Sequence, residues 1–325
     1  MARTTSSATT SRTLRIALGL ALLSAFSFGS SGAMARALID TGWTAGAAVL
    51  VRLGGTAVLL TLVLVISRRG RVRISLSSLR ILVLYGVVAM AGTQFAFFNA
   101  VRTLDVGVAI LLEFTAPVLL LGWTAARSRR WPRPWTLTGA ALALLGLACV
   151  IEVWHTTAVD LGGVMWGLAA AVCLAAFFVI SARQEADLPP LVMAAGGTAF
   201  GAAVIGLTGA IGVVPLGFAT RDTLLAGVAV GWWVPALWLV AVSTGIAYLT
   251  GIAAIHRLGT RSASFVALTE VLFAALVAWA LLAQLPGAWQ LVGGALIVSG
   301  IVLVQRDEAV NPDETTTAVE GAHPV

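Results

Sequence analysis

Long apolar segments and short polar segments alternate along this chain. Ten apolar runs, each about twenty residues long and so able to cross the roughly 30 Å hydrocarbon core of a bilayer as an α-helix, are separated by short polar segments. A helix also satisfies its own backbone hydrogen bonds in that medium. The pattern therefore predicts an all-α membrane protein with ten transmembrane helices. The first to the tenth run cover residues 14–34, 44–66, 79–101, 104–126, 135–153, 161–181, 191–212, 232–255, 260–283 and 288–305.

Composition favours the same fold class. The chain is 59% hydrophobic and only 10% charged, with a mean hydropathy of +0.98, whereas soluble domains carry about 25% charged residues. So few charges could not solvate the surface of a soluble protein of 325 residues. The polar ends, 1–13 and 306–325, are predicted to be disordered cytoplasmic tails.

The distribution of arginine predicts the orientation. All 20 basic residues are arginine; with the N-terminus inside, sixteen fall in cytoplasmic segments and only Arg36, Arg102 and Arg221 in outer loops. This is the bias that orients membrane helices. We therefore expect a multi-pass protein of the bacterial inner membrane with both termini in the cytoplasm. The arginines lie in short clusters beside apolar runs and give no indication of nucleic-acid binding.

An internal repeat appears when the chain is shifted by 154 residues. Leucine and alanine matches count for little in so apolar a sequence, but a threonine, a proline, a tryptophan and two glycines also coincide. The coinciding pairs are Thr115/Thr269, Pro132/Pro286, Trp135/Trp289, Gly139/Gly293 and Gly146/Gly300.

The repeat predicts two five-helix copies, residues 14–153 and 161–305. Because five is odd, the second copy enters the membrane in the opposite sense, so the copies are inverted repeats. That arrangement is typical of secondary transporters, with the site near the bilayer midplane between the copies. The first run also has features of a signal peptide, but the repeat requires it as a span.

The fourth run contains the segment Asp105-Val106-Gly107-Val108-Ala109-Ile110-Leu111-Leu112-Glu113-Phe114-Thr115-Ala116-Pro117. With the ten-run layout, this segment resembles an EamA-type member of the drug/metabolite transporter superfamily, especially its threonine/homoserine exporter branch. The resemblance implies ten helices in an inverted five-plus-five fold and export of small metabolites or drugs. Two positions depart from the family pattern: Val271 stands where many members have proline, and Ala283-Gln284-Leu285 where many have Gly-Glu.

Three ionisable residues fall well inside apolar runs: Arg52, Glu113 and Glu270. A charge there is costly and is a functional candidate by default. Arg52 and Glu113 both lie roughly 12–14 Å below the outer end of their runs, counting 1.5 Å per residue. We expect them to face one cavity, as a clamp for a substrate carboxylate and amine or as a structural ion pair. Glu270 is the candidate proton carrier, with a hydrogen bond to a neighbouring helix as the alternative.

Uncharged polar residues in the third and eighth runs are further candidates for substrate contacts. Hydrogen bonds between helices are an equally common use of such side chains. The candidates are Thr93, Gln94, Asn99, Thr244 and Tyr248. The paired glycines of the repeat, at heptad spacing, are predicted to allow close helix packing.

Metal and catalytic chemistry find little support. The three histidines fall at an outer loop, an inner loop and the tail, and Cys149 and Cys173 lie in apolar runs. No metal site, cofactor or catalytic residue is therefore expected, and metalloprotease and serine-nucleophile motifs are absent.

The sequence thus favours a secondary transporter that exports small metabolites by alternating access, with amino acids or related zwitterions first. An exporter of cationic drugs is the alternative; an intramembrane enzyme and a non-transporting scaffold rank below both. The expected partners are a small-molecule substrate, the lipid bilayer and, as a candidate coupling ion, protons. The sequence leaves the direction of transport and the oligomeric state open, a homodimer included.

Overall fold

A computed structural model of the chain describes residues 4–67, 76–128, 134–151, 160–182, 188–258, 266 and 268–310. Ten of the nineteen arginines that predict the orientation lie outside these residues, at position 3 and in 68–75, 129–133, 183–187 and 259–265, as do His155, His323 and most of the predicted C-terminal tail.

Helices occupy almost all of the described residues. In the first half they are α1 (Thr4–Gly29), α2 (Ser31–Asp40), α3 (Ala45–Ile66), α4 (Leu76–Leu84), π1 (Tyr85–Gly92), α5 (Thr93–Ala100), α6 (Val106–Glu113), α7 (Ala116–Ser128) and α8 (Pro134–Ile151). In the second half they are α9 (Leu161–Ala182), α10 (Pro190–Ala210), α11 (Trp233–Val240), π2 (Ala241–Ile246), α12 (Ala247–Leu258), α13 (Thr269–Leu282) and α14 (Ala288–Val310).

The helices follow the apolar runs. Five helical stretches are long and apolar enough to cross a membrane: Leu14–Asp40, Ala45–Ile66, Ser78–Ala100, Pro190–Ala210 and Trp233–Leu258. The other five runs contain shorter apolar helices within the described residues.

The helical ends extend further than the apolar pattern indicates. Helix α1 begins at Thr4, inside the predicted N-terminal tail, and α14 continues to Val310, inside the predicted C-terminal tail. Extending an existing helix fixes one residue per added hydrogen bond and is far cheaper than nucleating a new one. Polar residues next to an apolar span can therefore remain helical.

A β-hairpin lies in the segment between α10 and α11, which the apolar pattern leaves as a loop. Strands β1 (Thr223–Leu225) and β2 (Val228–Val230) pair antiparallel, and both turn residues, Ala226 and Gly227, have positive φ (51° and 78°). This is the turn that fits the twist of a two-residue hairpin, although Asn-Gly or Asp-Gly is its usual sequence. With alanine in place of Asn or Asp, the signal is missing from the sequence.

Hydrogen bonds fasten the segment between α10 and α11 to helix ends. The hydroxyl of Thr223 donates to the carbonyl of Ala37 at 2.8 Å, and the N–H of Ala226 donates to the carbonyl of Leu281 at 2.8 Å. The hydroxyl of Thr44, the N-cap of α3, donates to the carbonyl of Pro215 at 2.7 Å.

The described residues form two compact units. The first unit lies within Met1–Ala91 and Ala186–Gln284, and the second within Gly92–Glu185 and Leu285–Val325. Each unit thus draws helices from both halves of the sequence, so the compact units differ from the two copies of the repeat.

In the second unit, α8 and α14 pack through the glycines of the repeat. A Cβ atom on Gly146 would lie 2.6 Å from the carbonyl oxygen of Gly293, and one on Gly300 would contact the carbonyl oxygen of Gly139. The contacts run in opposite sequence directions, so the two helices are antiparallel. The prediction that these glycines allow close packing is confirmed.

Replacing Gly146 with alanine should therefore destabilise the protein. The added methyl group meets backbone atoms that cannot turn away, and such overpacking costs about 1–3 kcal/mol. The measurement is the midpoint of thermal unfolding in detergent, followed by tryptophan fluorescence.

Gly122→Ala in α7 is the matched control, since nothing lies within 4 Å of a Cβ atom there. Its midpoint should stay unchanged or rise, because alanine favours the helix. Equal midpoints for the two variants would contradict the packing role of Gly146.

Candidate functional site

The third and eighth runs share a feature that hydropathy cannot show: each contains a π-helical segment. Segment π1 spans Tyr85–Gly92, and π2 spans Ala241–Ile246. Shifting π2 back by the repeat offset places it at residues 87–92, inside π1. Because π-helical turns are rare and are frequently found at functional sites, their presence at equivalent positions makes both runs candidates for the site.

Arg52 of α3 is buried in the first unit against π2, with 4% of its surface exposed. Its Nε donates to the hydroxyl of Thr244 at 2.9 Å, and its Nη2 approaches the carbonyl of Ser243 at 3.4 Å. The same Thr244 hydroxyl donates to the carbonyl of Leu239 at 2.8 Å. Thr244 is fully buried and fixes the direction of the guanidinium.

Tyr248 joins this cluster one turn further on. Its hydroxyl donates to the sulfur of Met90 at 3.1 Å and shares a hydrogen bond with Tyr85 of π1. Arg52 and Glu270 both lie within electrostatic range of it. The first unit therefore brings together four of the predicted site residues: Arg52, Thr244, Tyr248 and Glu270.

Sequence reasoning missed two members of the cluster. Tyr85 contacts Tyr248, and Ser30, at the junction of α1 and α2, accepts a hydrogen bond from Trp238 Nε1 at 2.8 Å. The Ser30 hydroxyl also lies 2.9 Å from the Ser243 hydroxyl. Neither residue interrupts an apolar run, so only the partner side chains reveal their role.

Glu270 lies in the first turn of α13, which begins at Thr269. The positive end of the helix dipole stabilises a carboxylate at that position. Thr269 donates its hydroxyl to the carbonyl three residues earlier, at Val266. The repeat-equivalent Thr115 makes the same bond to Leu112, so both copies carry the same local turn.

Glu113 ends α6 at a break in the fourth run. Phe114 and Thr115 separate α6 from α7, and Pro117 has no N–H to donate to the carbonyl of Glu113. The helix break that proline predicts is therefore present. Glu113 is half-buried, within electrostatic range of Cys173 on α9.

The other predicted residues of the third run lie with Glu113 in the second unit. Thr93 and Asn99 are buried, and Asn99 Nδ2 donates to the carbonyl of Phe95 in its own helix. The Oε1 atom of Gln94 is buried without a hydrogen-bond partner in the described part of the chain. Since Arg52 belongs to the first unit, its pairing with Glu113 stays a prediction.

Among the described residues, no group of three or more His, Cys, Asp and Glu side chains could hold a metal ion. The cluster around Arg52 can instead bind organic ions. An arginine offers planar donors to a carboxylate, and a nearby carboxylate and tyrosine can accept hydrogen bonds from an ammonium group.

Comparison with known proteins identifies the family. The sequence profile of the EamA-like transporter family matches residues 15–152 and again residues 161–306. The chain belongs to the EamA-like transporter family. The resemblance that the sequence analysis states is thereby confirmed, and this EamA protein is a multi-pass membrane transporter with two copies of the family unit.

Individual relatives fit this assignment. The chain is 29% identical to the threonine/homoserine exporter RhtA of Escherichia coli (strain K12) over 70% of this chain and 72% of that protein. It is 29% identical to RhtA of Salmonella typhimurium (strain LT2) over 75% of this chain and 76% of the relative. Identity to the inner membrane transporter YicL of the latter organism is 23%, over 70% and 73% respectively.

A crystal structure of another protein aligns with this EamA chain at a TM-score of 0.56. The alignment covers 88% of this chain and 98% of that one at 19% identity. It supports the fold and carries no functional argument.

Removing the Thr244 hydroxyl should destabilise the first unit. In Thr244→Val the Arg52 Nε loses this acceptor inside the protein, and a lost hydrogen bond to a charged group costs about 1.5–3 kcal/mol. We expect a lower midpoint of thermal unfolding in detergent.

The control is Thr250→Val, two turns along the same run, whose hydroxyl bonds to the carbonyls of Ile246 and Ala247 in its own helical segment. That variant should keep the wild-type midpoint. A Thr244→Val midpoint as high as that of Thr250→Val would show that the Arg52 contact contributes nothing to stability.

Proposed function

We propose that this EamA protein is a secondary transporter of the bacterial inner membrane that exports amino acids or related zwitterions. The observation that carries the proposal is the buried Arg52, held by Thr244 and grouped with Tyr248 and Glu270. Burying a guanidinium in an apolar bundle is costly, and such residues mark substrate pathways. The similarity to the threonine/homoserine exporters of Escherichia coli and Salmonella typhimurium supports export.

Contacts between the equivalent fifth and tenth runs support inverted repeats. In sequence, Gly139 is equivalent to Gly293 and Gly146 to Gly300, yet Gly146 packs on Gly293 and Gly300 on Gly139. This reciprocal pattern is the signature of a local two-fold axis. Because the two helices are antiparallel, that axis is perpendicular to them and would lie in the membrane plane.

Helix packing within each unit supports the same relation. In the first unit α1 packs on α12 and α13, so the first run contacts the eighth and ninth. In the second unit α9 packs on α5 and α6, so the sixth run contacts the third and fourth. Moving each run by five converts one set into the other, as expected for ten spans in two inverted copies.

The charges of the candidate site favour a zwitterion. Arg52 alone would repel a cation, whereas a substrate carboxylate can pair with the guanidinium and a substrate ammonium group with Glu270 or Glu113. Because Glu270 and Glu113 could also pair with a cationic drug, an exporter of such drugs is the second candidate function. Substrate binding by Thr93, Gln94 and Asn99 remains part of the proposal, because the buried amide oxygen of Gln94 needs a partner.

The direction of export is defined by how the chain lies in the membrane. We propose the orientation that the arginines predict, with both termini in the cytoplasm. Cysteine labelling of the two ends in intact cells and in lysed cells tests it. Labelling of either end in intact cells would reject this orientation.

Arg52→Gln should abolish substrate binding. Glutamine retains hydrogen-bonding capacity but removes the positive charge that pairs with a carboxylate. The measurement is counterflow of labelled threonine or homoserine in proteoliposomes, with ligand-induced thermal stabilisation as a binding assay.

Arg15→Gln is the matched control, since Arg15 is an exposed residue on α1. It should exchange substrate like the wild type. Equal exchange by Arg52→Gln and the wild type would remove Arg52 from the site, and exchange of cationic drugs alone would favour the second candidate.

Glu270→Gln should uncouple transport from a pH gradient. A glutamine cannot carry a proton, so an imposed gradient should no longer accelerate whatever substrate movement the variant retains without a gradient. Glu113→Gln is the comparison and should retain the gradient response. A Glu270→Gln protein that still responds to the gradient would exclude Glu270 as the carrier.

A further inference from the structure

Helix α1 presents a row of buried serines to the rest of the first unit. Ser24, Ser27 and Ser30 are three residues apart, which places them on one face of the helix. All three are at most 8% exposed, and Ser27 is fully buried. The row continues the polar cluster around Arg52 onto the first run.

The hydrogen bonds of Ser24 and Ser30, at the two ends of the row, show which elements this face of α1 contacts. Ser24 donates to the carbonyl of Ala247 at 2.8 Å, and the hydroxyl of Ser30 lies 2.9 Å from that of Ser243. Helix α1 therefore lies antiparallel to π2 and α12. Ser27, midway between its neighbours, faces the stretch from Ser243 to Ala247, which contains the Thr244 that holds Arg52.

Ser27 differs from its neighbours in one respect. Its hydroxyl is buried and has no hydrogen-bond partner within the described residues. A helical serine or threonine can usually bond to a carbonyl of the preceding turn, as Thr198 and Thr208 do in this unit. A buried hydroxyl that leaves this bond unmade, and has no other partner in the part of the chain that the structure describes, is available to a bound ligand.

We propose that Ser27 is a specificity-determining residue that hydrogen-bonds a hydroxyl group on the side chain of the transported amino acid. The inference rests on the proposed function. Charged groups are the natural partners of the substrate carboxylate and ammonium, here Arg52 and Glu270, which leaves a neutral hydroxyl for a neutral substrate group. A site built to bond a substrate hydroxyl discriminates against analogues that lack it.

The test compares threonine with valine, which has nearly the same shape without the hydroxyl. Apparent dissociation constants come from ligand-induced thermal stabilisation of the purified full-length protein. The wild type should prefer threonine, and Ser27→Ala should reduce the threonine-to-valine preference by roughly two- to tenfold, the range for one neutral hydrogen bond. Valine binding itself should change little.

Ser24→Ala is the matched control: it lies on the same helix face, but its hydroxyl bonds to a protein carbonyl, so it should keep the wild-type preference. Ser27→Cys, which retains the shape with a weak hydrogen-bonding group, provides a second variant if Ser27→Ala is unstable. It should lose the preference as well.

Three outcomes would overturn the inference. They are an unchanged preference in both Ser27 variants, an equal loss of threonine and valine binding, and a wild type that binds both amino acids equally. A wild type that binds no amino acid would instead reject the proposed function.

Discussion

A guanidinium buried among apolar helices is the constraint on which the first unit depends. An uncompensated charge at that depth would be prohibitive, so the surrounding helices must supply acceptors. The eighth run does so through π2, where Thr244 and Ser243 both face Arg52. The same π segment reaches the first run through Ser243 and Ser30, so the helices around Arg52 are tied together by polar contacts.

A second constraint is close backbone contact between the equivalent α8 and α14. Their glycines allow the two helices to approach so closely that an added Cβ atom would meet a carbonyl oxygen of the opposing helix. In lipid, where apolar side chains gain little from leaving the solvent, such packing is a main source of helix association. The duplicated sequence thus serves stability in the second unit and polar chemistry in the first.

Much of this architecture could be predicted from the sequence, because a membrane limits the choices. Hydropathy located the helices, and heptad-spaced glycines indicated close packing. The π segments, the Ala226-Gly227 hairpin and the orphan hydroxyl of Ser27 could not be predicted, because apolar runs with and without them have the same composition. Depth along a helix also says nothing about facing, so the sequence could not show that Arg52 contacts Thr244.

The nature of the Arg52 contacts also bears on transport. Thr244 and the Ser243 carbonyl are neutral acceptors that orient the guanidinium. A moving helix can exchange such hydrogen bonds at modest cost, because each contributes only about 1.5–3 kcal/mol to stability. A π segment, which already departs from regular helical bonding, is a suitable place for that exchange. The repeat places a second one in the other copy, as two related conformations of one transporter would require.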